Sequence, residues 1–215
     1  MSSIAIIDYG MGNLHSIAKA LEHVAGRERV VVSSEPATIL AAERVVFPGV
    51  GAIRDCISEL QRTGLDHVVM KAAATRPLLG VCLGLQALLD ISEENAGTRC
   101  LGIVPGSVVR FRNDMHDPDS GMRLKIPHMG WNQVHQVHAH VLWTDIPDNS
   151  RFYFVHSYYA VPANPGHIAG TTPYGQNFTS AIAHDNVFAV QFHPEKSQHA
   201  GLQLLANFIA WNGVS

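Results

Sequence analysis

The chain has 215 residues, 47% hydrophobic and 15% charged, which supplies a buried core and excludes a disordered polymer. A net charge of −3 with no basic patch excludes nucleic acid as an expected partner. Three scattered cysteines exclude a disulfide framework and fit a reducing compartment, and no apolar run reaches the length of a membrane span.

Ile4 to Ile7 reads as a buried strand, with no charged region and apolar segment of signal length before it, so a cytoplasmic location is expected. The turn Asp8-Tyr9-Gly10-Met11-Gly12-Asn13 leads into a helical pattern from Leu14 to Val24. A dinucleotide fingerprint needs a third glycine where His15 stands, and no acidic residue follows at a convincing position. The turn is therefore read as structural, with Asn13 near the helix start. Val30 to Val32 is a short strand and Pro36 to Ala42 a short helix. Arg44 to Phe47 is a strand ending in the turn Pro48-Gly49-Val50-Gly51. A helix follows from about Ala52 to Leu60, with Cys56 as a small core or surface residue, and Asp66 to Thr75 is helical. The apolar run Pro77-Leu78-Leu79 enters Gly80-Val81-Cys82-Leu83-Gly84-Leu85-Gln86, with a helix starting at Leu83 and continuing through Ala87, Leu88 and Leu89. Strands alternating with helices predict a parallel sheet covered on both faces, with ligands beyond the carboxyl ends of its strands. Three strands end in glycine-containing turns, at Asp8-Tyr9-Gly10, Pro48-Gly49 and Cys82, and these are expected to converge.

The second half changes character. Cys100 reads as part of a turn into a strand, and from Leu101 to about Ala183 short strands alternate with turn residues. Gly106 to Phe111, Trp131 to Val134 and Phe152 to Val155 are examples, and they predict antiparallel or mixed pairing. The polar stretch Asn113 to Gly121 reads as a mobile loop. A strand through His135, His138 and His140 puts the last two on one face and the first on the other, with no cysteine or carboxylate among them. They are read as exposed strand and loop histidines, and no metal or cofactor is expected. Pro127-His128-Met129-Gly130-Trp131-Asn132 is either a partner surface or a loop packed on the core. Val187 to Phe192 is an apolar strand ending in His193-Pro194-Glu195, and an amphipathic helix from about Gly201 to Trp211 closes the chain. The expected fold is α/β: an open mixed, largely parallel sheet flanked by helices, with an added antiparallel portion, in a single domain over residues 1–215.

Cys82 is the most informative residue. A cysteine at a strand-to-helix elbow is exposed at the top of a sheet, and the helix N-terminus lowers its pKa toward the nucleophilic thiolate. Gly80 and Gly84 are expected to let the backbone turn tightly and a substrate approach. Alone, His193-Pro194-Glu195 is a strand end with a solvated pair. In an extended segment held by Pro194, His193 and Glu195 point the same way. With the elbow cysteine they form a Cys-His-acid triad, the imidazole taking the thiol proton and the carboxylate fixing its tautomer. The Pro48 to Gly51 turn, alone an ordinary strand-to-helix turn, supplies one arm of an oxyanion hole beside the N–H of Leu83.

Gly80-x-Cys82-x-Gly84-x-Gln86, His193-Pro194-Glu195 and the Pro48 to Gly51 turn together resemble the class I glutamine amidotransferase family, over essentially the whole chain. Within it, Asp8 to Asn13, Pro127 to Asn132 and His193 to Ser197 resemble the branch of glutaminase subunits of imidazole glycerol phosphate synthase in histidine biosynthesis. The resemblance implies that Cys82 attacks the amide of glutamine with help from His193, oriented by Glu195. It implies an oxyanion held by backbone N–H groups near Val50, Gly51 and Leu83. It implies that Gln86, Glu94 and backbone groups of Ser157 and Tyr158 hold the amino-acid end of the substrate, although Glu94 by itself reads equally as a solvated helix end beside Glu93. It further implies a heterodimer with a (β/α)₈-barrel synthase that receives the ammonia and yields imidazole glycerol phosphate and an aminoimidazole carboxamide ribonucleotide. Met129, Trp131, Tyr153 and Lys196 would face that barrel. Rival readings are an amidotransferase of this class feeding another acceptor, a cysteine-peptidase-like hydrolase that ignores free glutamine, and a regulatory domain indifferent to loss of Cys82.

Overall fold

In a computed structural model, residues 3–118 and 120–214 are described. The first strand shows how the fold is built. In β1 (Ser3–Ile7), Ile4 and Ile6 join one apolar cluster while Ala5 and Ile7 join a second, because successive side chains leave a strand on opposite faces. All four are fully buried, as in a sheet covered on both sides. Asn13 caps α1 (Leu14–Val24), its side chain accepting the Ser16 N–H at 3.4 Å. Then come β2 (Arg29–Ser33), α2 (Pro36–Ala41), β3 (Arg44–Gly49) and α3 (Ile53–Thr63). Gly64, in the left-handed region with a φ of 72°, ends α3 and opens α4 (Leu65–Thr75). β4 (Leu78–Cys82) runs directly into α5 (Leu83–Ala87).

Two short strands follow, β5 (Ile91–Ser92) and β6 (Thr98–Arg99). Then come β7 (Gly106–Arg110), β8 (His128–Gln136), β9 (Ser150–His156) and β10 (Tyr158–Pro162). β11 (Ile168–Pro173), β12 (Asn177–His184), β13 (Val187–Val190) and α6 (Gln198–Ala210) complete the chain. The sheet order is β2-β1-β3-β4-β13-β12-β10-β7-β5-β6, with β11 joining β12 to β8 and β8 pairing β9. The run from β2 to β13 is parallel, and β12, β10 and β7 continue it in antiparallel pairing. Residues of α1 and α6 pack on one face, and those of α2, α3, α4 and α5 on the other. This is the mixed sheet flanked by helices, with an antiparallel extension, that the sequence predicts. No helix among the described residues is long and apolar enough to cross a membrane.

Several boundaries differ from expectation. The helix after Cys82 stops at Ala87, because the N–H groups of Leu88 and Leu89 bond the carbonyls of Leu85 and Gln86 in tighter, three-residue turns. The helix expected to end at Leu60 reaches Thr63, and the closing helix begins at Gln198 and ends before Trp211. Cys100 follows a short strand, its N–H bonding the Asp90 carbonyl, instead of leading into one. Pro194 does not hold the chain extended: with φ preset for a helical start, it opens a 3₁₀ turn, Pro194–Lys196.

Candidate active site

Three adjacent parallel strands deliver the candidate residues to one edge. Register places Gly49 of β3 beside Cys82 of β4, and Val190 of β13 beside Val81, so the segment after β13 emerges next to the cysteine. This is the carboxyl edge at which open α/β sheets bind ligands. Cys82 sits at φ 54° and ψ −107°, a backbone conformation that costs a non-glycine residue energy and is held by its surroundings. The flanking glycines do not play the part expected of them. Neither has the left-handed backbone that would require glycine. A Cβ at Gly84 would overlap the Phe47 carbonyl oxygen and stand 3.0 Å from its carbon, and one at Gly80 would stand 3.0 Å from the Ala189 Cβ. Gly84 lets α5 lie directly on β3, and Gly80 leaves room on β4 for the Ala189 side chain of β13 and for the backbone of α5 at Leu85. Because α5 has only five residues, the elbow acts through the free N–H groups of its first turn more than through a long helix dipole.

His193 and Glu195 meet across the 3₁₀ turn: Nδ1 of the ring lies 2.9 Å from Glu195 Oε1, and both side chains are buried. The backbone is pinned on two sides, His193 N–H donating to the Tyr153 carbonyl at 2.9 Å and the Ser197 hydroxyl donating to the His193 carbonyl at 2.6 Å. The Nε2 atom is buried with no hydrogen-bond partner. Burial of the ring favours its neutral form, but the Cys82 sulfur and then the Glu195 carboxylate outweigh it and raise His193 to about 10. The charged form of the ring is therefore favoured from both sides, by the sulfur and by the carboxylate.

Cys82 and His193 open onto a pocket of about 350 Å³. Val50, Gly51 and Leu83 line it, and so do Gln86, Glu94, Ser157 and Tyr158. Gly51 has a φ of 97°, and Val50 is exposed. Glu94 is not a solvated helix end: its Oε2 accepts the N–H of Ile53 at 2.9 Å, which ties it to the first residue of α3 and to the end of the Val50–Gly51 turn. Both protons of the Gln86 amide are committed inside the protein, to the Tyr158 carbonyl and to Gln191 Oε1, each at 3.0 Å.

Two supporting residues are absent from the sequence-based candidates. Gln191 is fully buried and points its Nε2 at the Cys82 sulfur, 3.8 Å away. Its signal is a lone amide in an otherwise apolar strand run. Tyr9 is buried beneath the Pro48 to Gly51 turn; its hydroxyl donates to the Pro48 carbonyl at 3.1 Å and receives the Cys56 thiol at 3.5 Å. Thus the first strand's glycine turn reaches the site through Tyr9, and Cys56 is a core residue whose thiol burial pushes up to about 12.

Outside the pocket, Met129 and Trp131 lie two apart on β8 and are exposed, at 63% and 38%. Trp131 faces Tyr153 across the β8–β9 ladder with ring centroids 6.1 Å apart, and Lys196 Nζ stands 5.9 Å over the Tyr153 ring. The four form one surface, next to the strand that holds the His193 backbone. The Pro127 to Asn132 motif is thus split by strand alternation, Met129 and Trp131 outward and His128 buried. His135 and His140 do not share a site: His135 pairs with Asp148 at 2.9 Å, and His140 is buried, its Nδ1 accepting the Leu142 N–H. His138 is exposed.

The sequence matches the family described as glutamine amidotransferase class-I over residues 5–211. It is 64% identical to "Imidazole glycerol phosphate synthase subunit HisH" of Nitrosococcus oceani over 215 residues, all of both chains. It is 58% identical to "Imidazole glycerol phosphate synthase subunit HisH 1" of Pseudomonas aeruginosa over 213 residues, 99% of each. Among solved structures, the fold is similar to that of PurLQS from Thermotoga maritima, with a TM-score of 0.72, 14% identity and coverage of 97% of this chain and 98% of that one.

Proposed function

The chain belongs to the class-I glutamine amidotransferase family and is a glutamine-hydrolysing enzyme, and from this premise we propose that it is the glutaminase subunit of an imidazole glycerol phosphate synthase. Full-length identity to proteins of that name supports the reading. The observation that carries its chemistry is His193, with Nδ1 on Glu195 and an unpaired Nε2 in the pocket that holds Cys82.

Cys82 Sγ attacks the side-chain carbonyl carbon of glutamine. The oxyanion is received by backbone N–H groups of Val50, Gly51 and Leu83. His193 delivers the proton that lets ammonia leave, and then takes one from the water that hydrolyses the glutamyl thioester. Glu195 keeps Nδ1 protonated so that Nε2 is the reacting nitrogen throughout. Glu94 and the backbone of Ser157 and Tyr158 hold the amino-acid end of glutamine, with Gln86 shaping that wall.

The partner in this reading is a (β/α)₈-barrel synthase subunit docked on Met129, Trp131, Tyr153 and Lys196, in a cytoplasmic heterodimer of one glutaminase domain and one barrel. Ammonia released in water at neutral pH is protonated and loses its nucleophilicity, so a closed passage to the barrel favours the coupled reaction. The Pro48 to Gly51 turn holds its donors misaligned until docking, which keeps the unpartnered subunit slow. The test is glutamate release by wild type and Cys82→Ala, each with and without the barrel subunit and its nucleotide ligand. Wild type with barrel and ligand is expected to turn over, wild type alone to be slow, and Cys82→Ala to be inactive throughout. No glutamate from wild type under any condition refutes the reading, and equal turnover with and without the partner refutes the idle state.

A further inference from the structure

His128 and His156 face each other at the ends of β8 and β9, in direct cross-strand register, and both are buried. The mechanism uses neither. Each ring nitrogen has a defined neighbour, and together they admit one pattern of protons. The Tyr158 carbonyl can only accept, so His156 Nδ1, 2.8 Å away, carries the proton. Its Nε2 is then bare and accepts from His128 Nδ1 at 2.9 Å. His128 Nε2 is bare in turn and accepts from the Asn132 amide at 3.3 Å. The orientation of that amide is fixed independently, because its nitrogen also donates to the Pro173 carbonyl at 2.8 Å and its oxygen accepts the Gln133 N–H at 2.8 Å.

The pattern continues beyond Tyr158. Its carbonyl takes a second proton from Gln86, whose other proton goes to Gln191 Oε1, which turns the Gln191 amide nitrogen toward the Cys82 sulfur. A line of hydrogen bonds therefore runs from Asn132, next to exposed Trp131, to the candidate nucleophile. It works only if both rings are neutral, since a proton on either bare Nε2 would set donor against donor. The surroundings favour the neutral form: Phe111, Phe154, Tyr174 and Phe178 pack around the His128 ring, and the titratable groups facing the pair are each other, His193 and the Tyr174 phenol, which burial keeps neutral. Burial pushes His128 down to about 4 and His156 to about 3.

We infer that His128 and His156 are positioning residues: locked as a neutral pair protonated on Nδ1, they hold the Tyr158 wall of the pocket and orient the Gln86 and Gln191 amides against Cys82, tying the β8 surface to the glutamine site. The inference rests on the pocket being that site. Removing the His128 donor leaves His156 Nε2 unpaired, so the ring is free to change tautomer and release the Tyr158 carbonyl. Binding of glutamine weakens more than the chemical step does.

Nitrogen-15 NMR of histidine-labelled wild type reads the tautomers directly and does not depend on activity. Two rings are expected to be protonated on Nδ1, bare on Nε2, and untitrated from pH 7 down to 5; finding either ring protonated on Nε2 overturns the inference. In glutaminase assays of the complex with the barrel subunit and its ligand, His128→Phe keeps the ring and removes the donor. It is expected to raise the KM for glutamine about tenfold, with a smaller fall in kcat. His128→Asn, which can place an N–H where Nδ1 stood, is expected to restore most of that loss. An unchanged KM in a folded His128→Phe, or an equal loss in both variants, overturns the positioning role, and if His128→Phe does not fold the tautomers decide. Wild type without glutaminase activity but with both rings protonated on Nδ1 would sink the reading of the site and leave the hydrogen-bonded line intact.

Discussion

Gly84→Ala tests whether the elbow is held by close packing of α5 on β3. The added Cβ would overlap the Phe47 carbonyl oxygen and lie 3.0 Å from its carbon. Both are backbone atoms of a central, fully buried strand, so neither has a rotamer through which to yield. The first turn of α5 must move by roughly 1 Å, as overpacking in a dense core requires, at a cost of about 1–3 kcal/mol in stability. The same movement shifts the Leu83 N–H and the Cys82 sulfur relative to His193. A displacement of that size near reacting atoms costs about 10²-fold in rate, or about 2.7 kcal/mol of barrier. Gly80→Ala is the graded comparison, because its nearest neighbours are the side-chain atoms Ala189 Cβ at 3.0 Å and Leu88 Cδ1 at 3.1 Å, and the leucine can give way. Urea denaturation reads the stability, and partner-stimulated glutaminase turnover reads the rate. Gly84→Ala should lose more in both than Gly80→Ala. If Gly84→Ala matches wild type, or if Gly80→Ala is the more damaging, the packing account of the elbow is wrong.

Acid should unfold the protein through its buried histidines. Burial lowers His128 and His140 to about 4 and His156 to about 3, against about 6.5 in the unfolded chain. Below pH 6.5 the unfolded state binds the protons that the folded state refuses. The stability these rings contribute is therefore fully present above 6.5 and is lost as pH falls toward their folded values, at up to about 4 kcal/mol per pH unit for three groups near pH 5. Urea midpoints at pH 7, 6 and 5 measure this; a flat profile contradicts it, and His128→Phe should flatten the slope by about a third. On the outer face, Trp131→Glu puts a charge at the centre of the surface shared with Met129, Tyr153 and Lys196. Calorimetric titration with the proposed synthase partner should show affinity lower by about 30-fold or more, as for loss of an aromatic anchor, and unchanged affinity would place docking elsewhere.

The fold is legible where local pattern decides it. The continuous apolar run Ile4 to Ile7, Asn13 near the helix start and the strand-to-helix change at Cys82 each specify a local conformation, and the observed elements follow within a few residues. The end of α5 is not legible, because Leu88 and Leu89 continue a helical composition while their N–H groups close tighter turns. The meeting of His193 and Glu195 is expected for the wrong geometric reason: spacing of two fits an extended strand, but the contact is made across a 3₁₀ turn opened by Pro194.

The residues that support the site are hidden for a different reason. Gln191 meets Cys82 109 positions away along the chain, Tyr9 meets Pro48 39 away, and His128 and His156 meet each other 28 apart. Periodicity says which face of an element is buried. It cannot say what stands opposite, and for a buried polar group that is the deciding fact: an unpaired amide in a core costs about 1–3 kcal/mol, whereas a paired one can set the orientation of its neighbour. Of the two polar residues in the Gln191 to His193 run, the histidine stands out because its chemistry is reactive. Once β13 lies against β4, however, Gln191 is the residue whose amide reaches the Cys82 sulfur and, through Gln86, the Tyr158 wall. Reactive side chains in such a site can be found by type and spacing. Those that aim them are found only after strand pairing has determined which buried donor meets which acceptor.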